Sequence, residues 1–330
     1  MDAHELQRLA ISLGLDAVGA APVGPYERTE EAIVERRDRG LFADMSFTMA
    51  RPEVSCHPEL LLPGARTVVA GALGYYIEGA PLSRGQAALP RYTWTDAYSR
   101  LRAALEELGR QIGGRSRVVV DENDHVDREA AARAGLGFYG KNTLIITPEH
   151  GSWVVLGALV TDVEIEPTAP LELDCGDCRL CVDACPTDAL DELGVLDANR
   201  CLSYWTQSRK AIPEEYRDEF AGQAYGCDIC QDVCPWNRAA EKRAKGEQPD
   251  DGVESHIDLV TWLTERDDVL RTQYERLYFP RNDPRFLRRN AVVAAGAGRE
   301  YELKPAIEPL AAGDDELVAE HALWALERLK

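Results

Sequence analysis

Leu6, Leu9, Ala10 and Leu13 recur at the i, i+3, i+4, i+7 spacing of one helical face, and Gly14 stands where such a helix would end. The period then shortens. Asp16–Ala21 predicts a short strand, Pro25–Arg39 a charged helix ending at Gly40, and Leu61–Gly64 a turn. The unbroken apolar run Thr67–Leu73 predicts a strand buried on both faces. Ser99–Leu108 has helical spacing, Arg117–Val120 is β-branched, and Asp127–Ala134 is a short helix closed by Gly135. After Thr143–Thr147, Ser152–Thr161 is a second long apolar strand. Strands and helices alternate, which predicts an α/β domain over residues 1–165.

The second half follows a different pattern. Glu164–Leu173, with Pro167 and Pro170, predicts a linker, and the polar stretch Ala239–Val253, with Gly246, Pro249 and Gly252, a flexible boundary. Beyond it Ile257–Leu270, Arg285–Ala297 and Asp314–Leu329 predict helices. The small apolar residues of Arg289–Ala295 and Ala319–Leu326 have the texture of paired helical repeats, so a HEAT-like helical tail is expected over 246–330.

Between these parts lie eight of the nine cysteines. They run Cys175-x2-Cys178-x2-Cys181-x3-Cys185-Pro186, then Cys201, then Cys227-x2-Cys230-x3-Cys234-Pro235. The first run has the bacterial ferredoxin spacing for two [4Fe–4S] clusters, in which the fourth cysteine ligates the other cluster. The expected partition is therefore Cys175, Cys178, Cys181 and Cys234 for one cluster, and Cys185, Cys201, Cys227 and Cys230 for the other. Zinc ribbons carry CxxC pairs but not this triple run with its Cys-Pro. Disulfides suit secreted chains, whereas Met1–Leu13 lacks the apolar core of a signal peptide, so a reducing cytoplasm is expected. The fold class expected for the whole is thus a multi-domain α+β/α chain: an α/β domain at 1–165, a ferredoxin-like two-cluster domain at 166–245 and the helical tail at 246–330.

Composition changes this picture little. With 330 residues, 45% of them apolar, the chain can bury sizeable cores, and no window approaches the roughly 18 apolar residues of a membrane helix. The net charge of −20 argues against a broad nucleic-acid surface. It is locally reversed: Arg271–Arg299 holds seven arginines against Glu275 and Asp283, readable as a polyanion contact or as a solvated helical face.

Three glycines, Gly135, Gly137 and Gly140, precede Lys141 and Asn142. The segment follows a helix and precedes a strand, the wrong order for a dinucleotide fingerprint, and Lys141 lacks the following Ser or Thr of a phosphate loop. A ligand-binding loop and a plain turn both remain open. Cys56 beside His57 is read as a buried thiol, because neighbours on an extended chain point to opposite faces. Asp124, His125 and Asp127 are read as a cap and turn rather than a metal site.

The chain resembles the epoxyqueuosine reductase family, corrinoid iron–sulfur enzymes of tRNA modification. The carriers are Leu62-Pro-Gly-Ala65, Arg91-Tyr92, Arg128 with Ala134-Gly-Leu-Gly-Phe138, Gly140-Lys-Asn142 and Gly151-Ser-Trp153, followed by the cysteine run, Arg200-Cys201 and Tyr225-Gly-Cys-Asp-Ile-Cys-Gln-Asp-Val-Cys-Pro-Trp-Asn237. The resemblance implies a base-off cobalamin in the N-terminal domain, two clusters that carry electrons to it, and a tail that helps dock tRNA carrying epoxyqueuosine at the wobble position. The implied reaction removes the epoxide oxygen as water. It also implies Asp121 as the proton donor, at the end of the strand before the Ala134–Phe138 segment; without the resemblance Asp121 is as readily a strand-end cap. Arg128, Lys141, Asn142 and Ser152 are the implied cobalamin contacts. A monomer is expected, served by a low-potential donor of flavodoxin or ferredoxin type.

Two segments depart from the family pattern. Ala97-Tyr98-Ser99 stands where many members have Asp-Tyr-His, and Asp121-Glu-Asn-Asp124 where many have Asp-Ser-Ala-Pro. These departures motivate two alternatives: a corrinoid reductase of another substrate, like the reductive dehalogenases, and a non-catalytic electron-transfer protein.

Overall fold

The computed structural model describes residues 1–245 and 254–330. Four strands form one sheet in the order Ala17–Pro22, Thr67–Gly74, Val154–Thr161, Ser116–Val119. Thr67–Gly74 and Val154–Thr161 are the inner pair, in a register that sets Val69 opposite Leu159 and Val68 opposite Val160. Because successive side chains leave a strand on opposite faces, each inner strand supplies two cores. Val69, Leu73 and Leu159 pack with Leu6 and with Leu101, Leu105 and Leu108 of the helix Ala97–Ile112. Val68, Ala70, Ala72 and Val160 pack with Ile33 and with Ala130 and Ala131 of the helix Asp127–Arg133. The sheet is the middle of three layers.

One expectation is corrected here. Strands and helices do alternate, but every pairing in the sheet is antiparallel, so this part is mixed α+β rather than α/β. An antiparallel strand covered on both faces is as continuously apolar as a parallel one, and the pattern records burial, not direction.

The expected helix Ile257–Leu270 is also divided. His256–Asp258 pairs with Gln86–Ala88 as a two-stranded ribbon, and buried Ile257 sits opposite Ala87. Leu259–Thr264 and Asp267–Gln273 are separate helices, split where Glu265 and Arg266 are extended. Arg285–Ala297 is one helix as expected, Lys304–Ala311 is an additional one, and Glu316–Arg328 starts at Asp315, which accepts from Val318 N–H at 3.0 Å. The core of this helical part runs on into Ala198–Tyr225 and Ala87–Trp94. Of the polar boundary expected at Ala239–Val253, the start belongs to the helix Arg238–Arg243, and 246–253 lie outside the described residues.

Candidate active site

The cysteines converge because two short helices, Leu180–Asp183 and Ile229–Asp232, pack together and carry thiols at both ends. Cys175, Cys178, Cys181 and Cys234 line one small cavity, closed by Trp236. Cys185, Cys201, Cys227 and Cys230 line the wall of a larger one. Burial pushes the Cys234 thiol up to about 11, and its neighbours Cys175, Cys181 and Cys178 push it further. Cys227 is pushed up to about 12 by burial, then by Cys201 and Cys185. Burial raises the Cys230 thiol most, followed by Cys227 and Cys201 of its expected set, with Cys181 of the other set also contributing. Among the described residues no three metal-ligating side chains converge tightly enough to hold one metal ion; the thiols surround spaces instead. Four cysteine thiols around one space suit the ligation of an iron–sulfur cluster, which binds them as thiolates.

The larger cavity measures about 640 Å³, within the range of roughly 300–1,000 Å³ for ligand pockets. Asp121, Arg128, Asn142 and Ser152, far apart in sequence, all face it. Asp121 follows the strand Ser116–Val119 and adopts a left-handed backbone, φ 55°. Its carboxyl is pushed up from the usual range by burial first and by the charge of Asp127 second. Tyr75, Tyr92 and Tyr98 add aromatic walls, and burial raises all three phenols.

Asn142 borders both cavities. It is 4% exposed, its Oδ1 accepts from Leu144 N–H, and its Nδ2 is buried without a partner among the described residues. An orphaned buried donor is costly, and it points to a group that fills the adjoining space. Ser152 is committed differently: its N–H donates to Asn237 Oδ1 at 2.7 Å and its hydroxyl to Gln231 Oε1 at 3.1 Å. Gly151 has φ 57°, and a Cβ there would lie 2.0 Å from Asn237 Oδ1, so the strand and the cysteine loop meet only because this position lacks a side chain. Gln231 and Asn237 both belong to the Tyr225–Asn237 motif but carry no site expectation from the sequence, because nothing along the chain pairs them with Ser152.

Lys141, expected as a cobalamin contact, borders the smaller cavity and not the larger one. Its Nζ donates to the carbonyls of Gly176 and Cys178, at 2.6 and 2.9 Å, because Gly140–Asn142 passes beside the first cysteine loop. The two departing segments scarcely enter the cavity. Glu122 pairs with Arg102 at 2.9 Å and Asp124 with Arg51 at 3.0 Å. Ala97 is in the core, and Ser99 N–H is capped by Asp96, leaving Tyr98 on the cavity wall. Cys56 is buried, with a thiol pushed up to about 11 by burial, an unreactive form.

Most of the Arg271–Arg299 guanidinium groups are occupied. Arg276 pairs with Glu254, Arg285 with Asp283, and Arg288 with Asp267. Arg289 is fully buried against backbone carbonyls.

The chemistry of the donor sets agrees with similarity to known proteins. Residues 174–237 match a protein-family model described as a 4Fe-4S double cluster binding domain. Along 99% of its length the chain is 33% identical to an epoxyqueuosine reductase of Lactococcus garvieae (strain Lg2), covering 96% of that protein. The chain belongs to the epoxyqueuosine reductase family. It is 34% identical to the Bacillus cereus member over its full length and 90% of that relative. Among solved structures, an epoxyqueuosine reductase holding a tRNA-Tyr epoxyqueuosine-modified stem loop superposes with a TM-score of 0.87 at 30% identity, covering 99% of this chain and 89% of that one. The Bacillus subtilis family member, solved with its catalytic aspartate loop swung out of the active site, gives 0.86 at 29% identity, covering 99% and 90%. A double iron–sulfur cluster domain is thus present in this chain over residues 174–237.

Proposed function

We propose that this protein reduces epoxyqueuosine in tRNA to queuosine, and that Asp121 supplies the proton. The observation that carries the reading is the placement of a recessed, acid-favouring carboxyl on the same cavity as the second thiol set, in a chain related to epoxyqueuosine reductases from end to end. Reduction takes two electrons and two protons, breaks two C–O bonds and leaves an alkene and water. An epoxide oxygen departs poorly as an alkoxide, so an acid within reach of it lowers the barrier. A carboxyl whose burial and like-charged neighbour favour its acid form is suited to that role.

A cobalamin, when bound, supplies a strongly reducing cobalt centre, and the clusters carry electrons to it. The residues present fit that group: the orphaned Asn142 Nδ2, Arg128 and the Ser152 edge border a space of ligand size. Cys175, Cys178, Cys181 and Cys234 would hold one cluster, and Cys185, Cys201, Cys227 and Cys230 the one adjoining the cavity. Lys141 steadies the loop of the first. Tyr75, Tyr92 and Tyr98 wall the cavity and exclude water, which strengthens the Asp121 hydrogen bond to a departing oxygen.

By chemistry the chain divides into a cobalamin-binding part at 1–165, a ferredoxin-type part at 166–245 and a HEAT-like tail at 246–330 that meets tRNA. Among the described residues no helix is long and apolar enough to cross a membrane. In this reading the protein acts as a cytoplasmic monomer and draws electrons from a low-potential flavodoxin or ferredoxin. The test is direct: protein prepared anaerobically, loaded with iron, sulfide and cobalamin and then reduced, converts an epoxyqueuosine-containing stem loop to queuosine, read by mass spectrometry. Failure to convert it beside an active family member overturns the reading.

A further inference from the structure

We propose that Asp127, held in place by a buried His125–Tyr26 pair, is a positioning residue that fixes the turn aiming Asp121 into the cavity. The proposal rests on the reading of Asp121 as proton donor, and it reassigns a cluster that sequence alone reads as a helix cap. The cap reading fails on geometry. The helix Asp127–Arg133 begins at Val126 and has no side-chain cap hydrogen bond. Instead both Asp127 oxygens are used elsewhere: Oδ2 accepts the Asp121 N–H at 3.3 Å, and Oδ1 lies 2.9 Å from His125 Nδ1.

The Asp121 turn needs a support. A non-glycine residue at φ 55° is disfavoured relative to ordinary backbone, and such conformations persist where surrounding groups over-determine them. Asp127 is one such group; Arg102 is another, donating to Val120 O at 3.0 Å on the other side of Asp121. What distinguishes Asp127 is the chain behind it. A carboxylate accepts, so His125 Nδ1 carries the hydrogen, and in the neutral ring Nε2 accepts from the Tyr26 hydroxyl at 3.1 Å. His125 and Tyr26 are each 1% exposed. Burial raises the Tyr26 phenol far above its usual range, which keeps it a donor. Arg133 stacks 4.5 Å from the Tyr26 ring centre, and Tyr26 N–H is tied to Cys56 O at 2.8 Å. The latch is therefore anchored through Tyr26 in the layer beneath the sheet, while Asp127 at its other end lines the cavity.

The same carboxylate acts on Asp121 through charge. The ionisable groups facing Asp121 are Asp127 on the helix after it, Tyr98 on the helix Ala97–Ile112 and Tyr92 on the turn before that helix, with Arg128 beyond. Near neutral pH the tyrosines are uncharged, so Asp127 is the negative neighbour that favours the acid form.

The test compares Asp127→Asn, Tyr26→Phe and the parent protein, each loaded with clusters and cobalamin and matched for cluster absorbance. Two quantities are read: the pH profile of single-turnover reduction of an epoxyqueuosine stem loop, and amide hydrogen exchange over 119–126. For Asp127→Asn the alkaline limb moves to lower pH, the effect of removing one like charge, and kcat at neutral pH falls about tenfold while KM holds. Tyr26→Phe removes a single oxygen; it leaves the profile in place but raises exchange in 119–126 several-fold. An unshifted profile for Asp127→Asn with unchanged exchange in both variants overturns the proposal. So does loss of activity at every pH equal to that of Asp121→Asn, which would make Asp127 a proton donor itself. If the parent protein fails to turn over, the exchange comparison still decides the latch, because it needs no substrate.

Discussion

At Asp121 one side chain meets two opposed demands, a protonated carboxyl and an opening toward substrate. Burial and the Asp127 charge favour the acid form, and the left-handed turn carries the carboxyl onto the cavity wall. Asparagine tolerates that backbone as well as aspartate, so Asp121→Asn should leave both clusters and cobalamin uptake intact. Turnover should fall by about 10²–10⁴-fold, the usual contribution of a positioned acid. Cluster and corrinoid absorbance together with single-turnover rates check this, and a parent-like rate removes Asp121 from the mechanism. The candidacy of Asp121 came from the family resemblance, since its place after a β-branched strand by itself reads as a strand-end cap. Its partner was not legible, since Asp127 and His125 look like ordinary helix-start residues until Tyr26, about a hundred positions earlier, is packed against them.

Among the elements, the helix Leu202–Gln207 ties the second thiol set to the C-terminal part. It begins directly after Cys201, and its last carbonyls accept from Arg289: Trp205 O at 2.8 Å and Thr206 O at 3.2 Å. The same guanidinium reaches Ser208 O at 2.7 Å. A cation at a helix C-terminus is favoured by the helix dipole, although burial lowers the Arg289 pKa to about 9. His321 extends this joint. Its Nε2 accepts from Ile212 N–H at 3.0 Å, and its Nδ1 donates to Leu317 O at 2.7 Å. Burial, then the nearby positive charges of Arg217 and Arg289, pushes its pKa down to about 4. The unfolded chain takes up this proton near pH 6.5. Stability is therefore full above about 6.5 and declines as pH falls toward about 4, with the slope of one proton. Denaturant midpoints of the parent between pH 7 and 5 should show that slope, and His321→Gln should flatten it; equal slopes in both would discount His321.

For the whole molecule, the decisive number is the net charge of −20. Counting arginines over 271–299 suggested a basic face, but the fold spends most of them on internal partners and buries Arg289. Exposed Arg209, on the cavity wall, has no side-chain partner among the described residues. Docking of a tRNA stem loop should therefore rely on a few phosphate contacts. The slope of log affinity against log salt should be shallow, about −2 to −3, as expected for release of about three counterions. A slope near −8 in binding titrations over 50–200 mM salt would show a broad basic surface instead.

The cysteine spacing, the buried central strands and the helical C-terminal part were determined by the sequence alone, because cluster ligation and layered packing impose short, local periodicities. Strand direction, the split after Ile257, the capture of Lys141 by the first cysteine loop and the Tyr26–His125–Asp127 latch were decided only in three dimensions. Each depends on which distant segment supplies a partner: Ala87 for Ile257, the Gly176 carbonyl for Lys141, a tyrosine hydroxyl for His125. Local pattern records how deeply a residue is buried and with what period, whereas a hydrogen-bond partner is chosen by the packing of the whole chain.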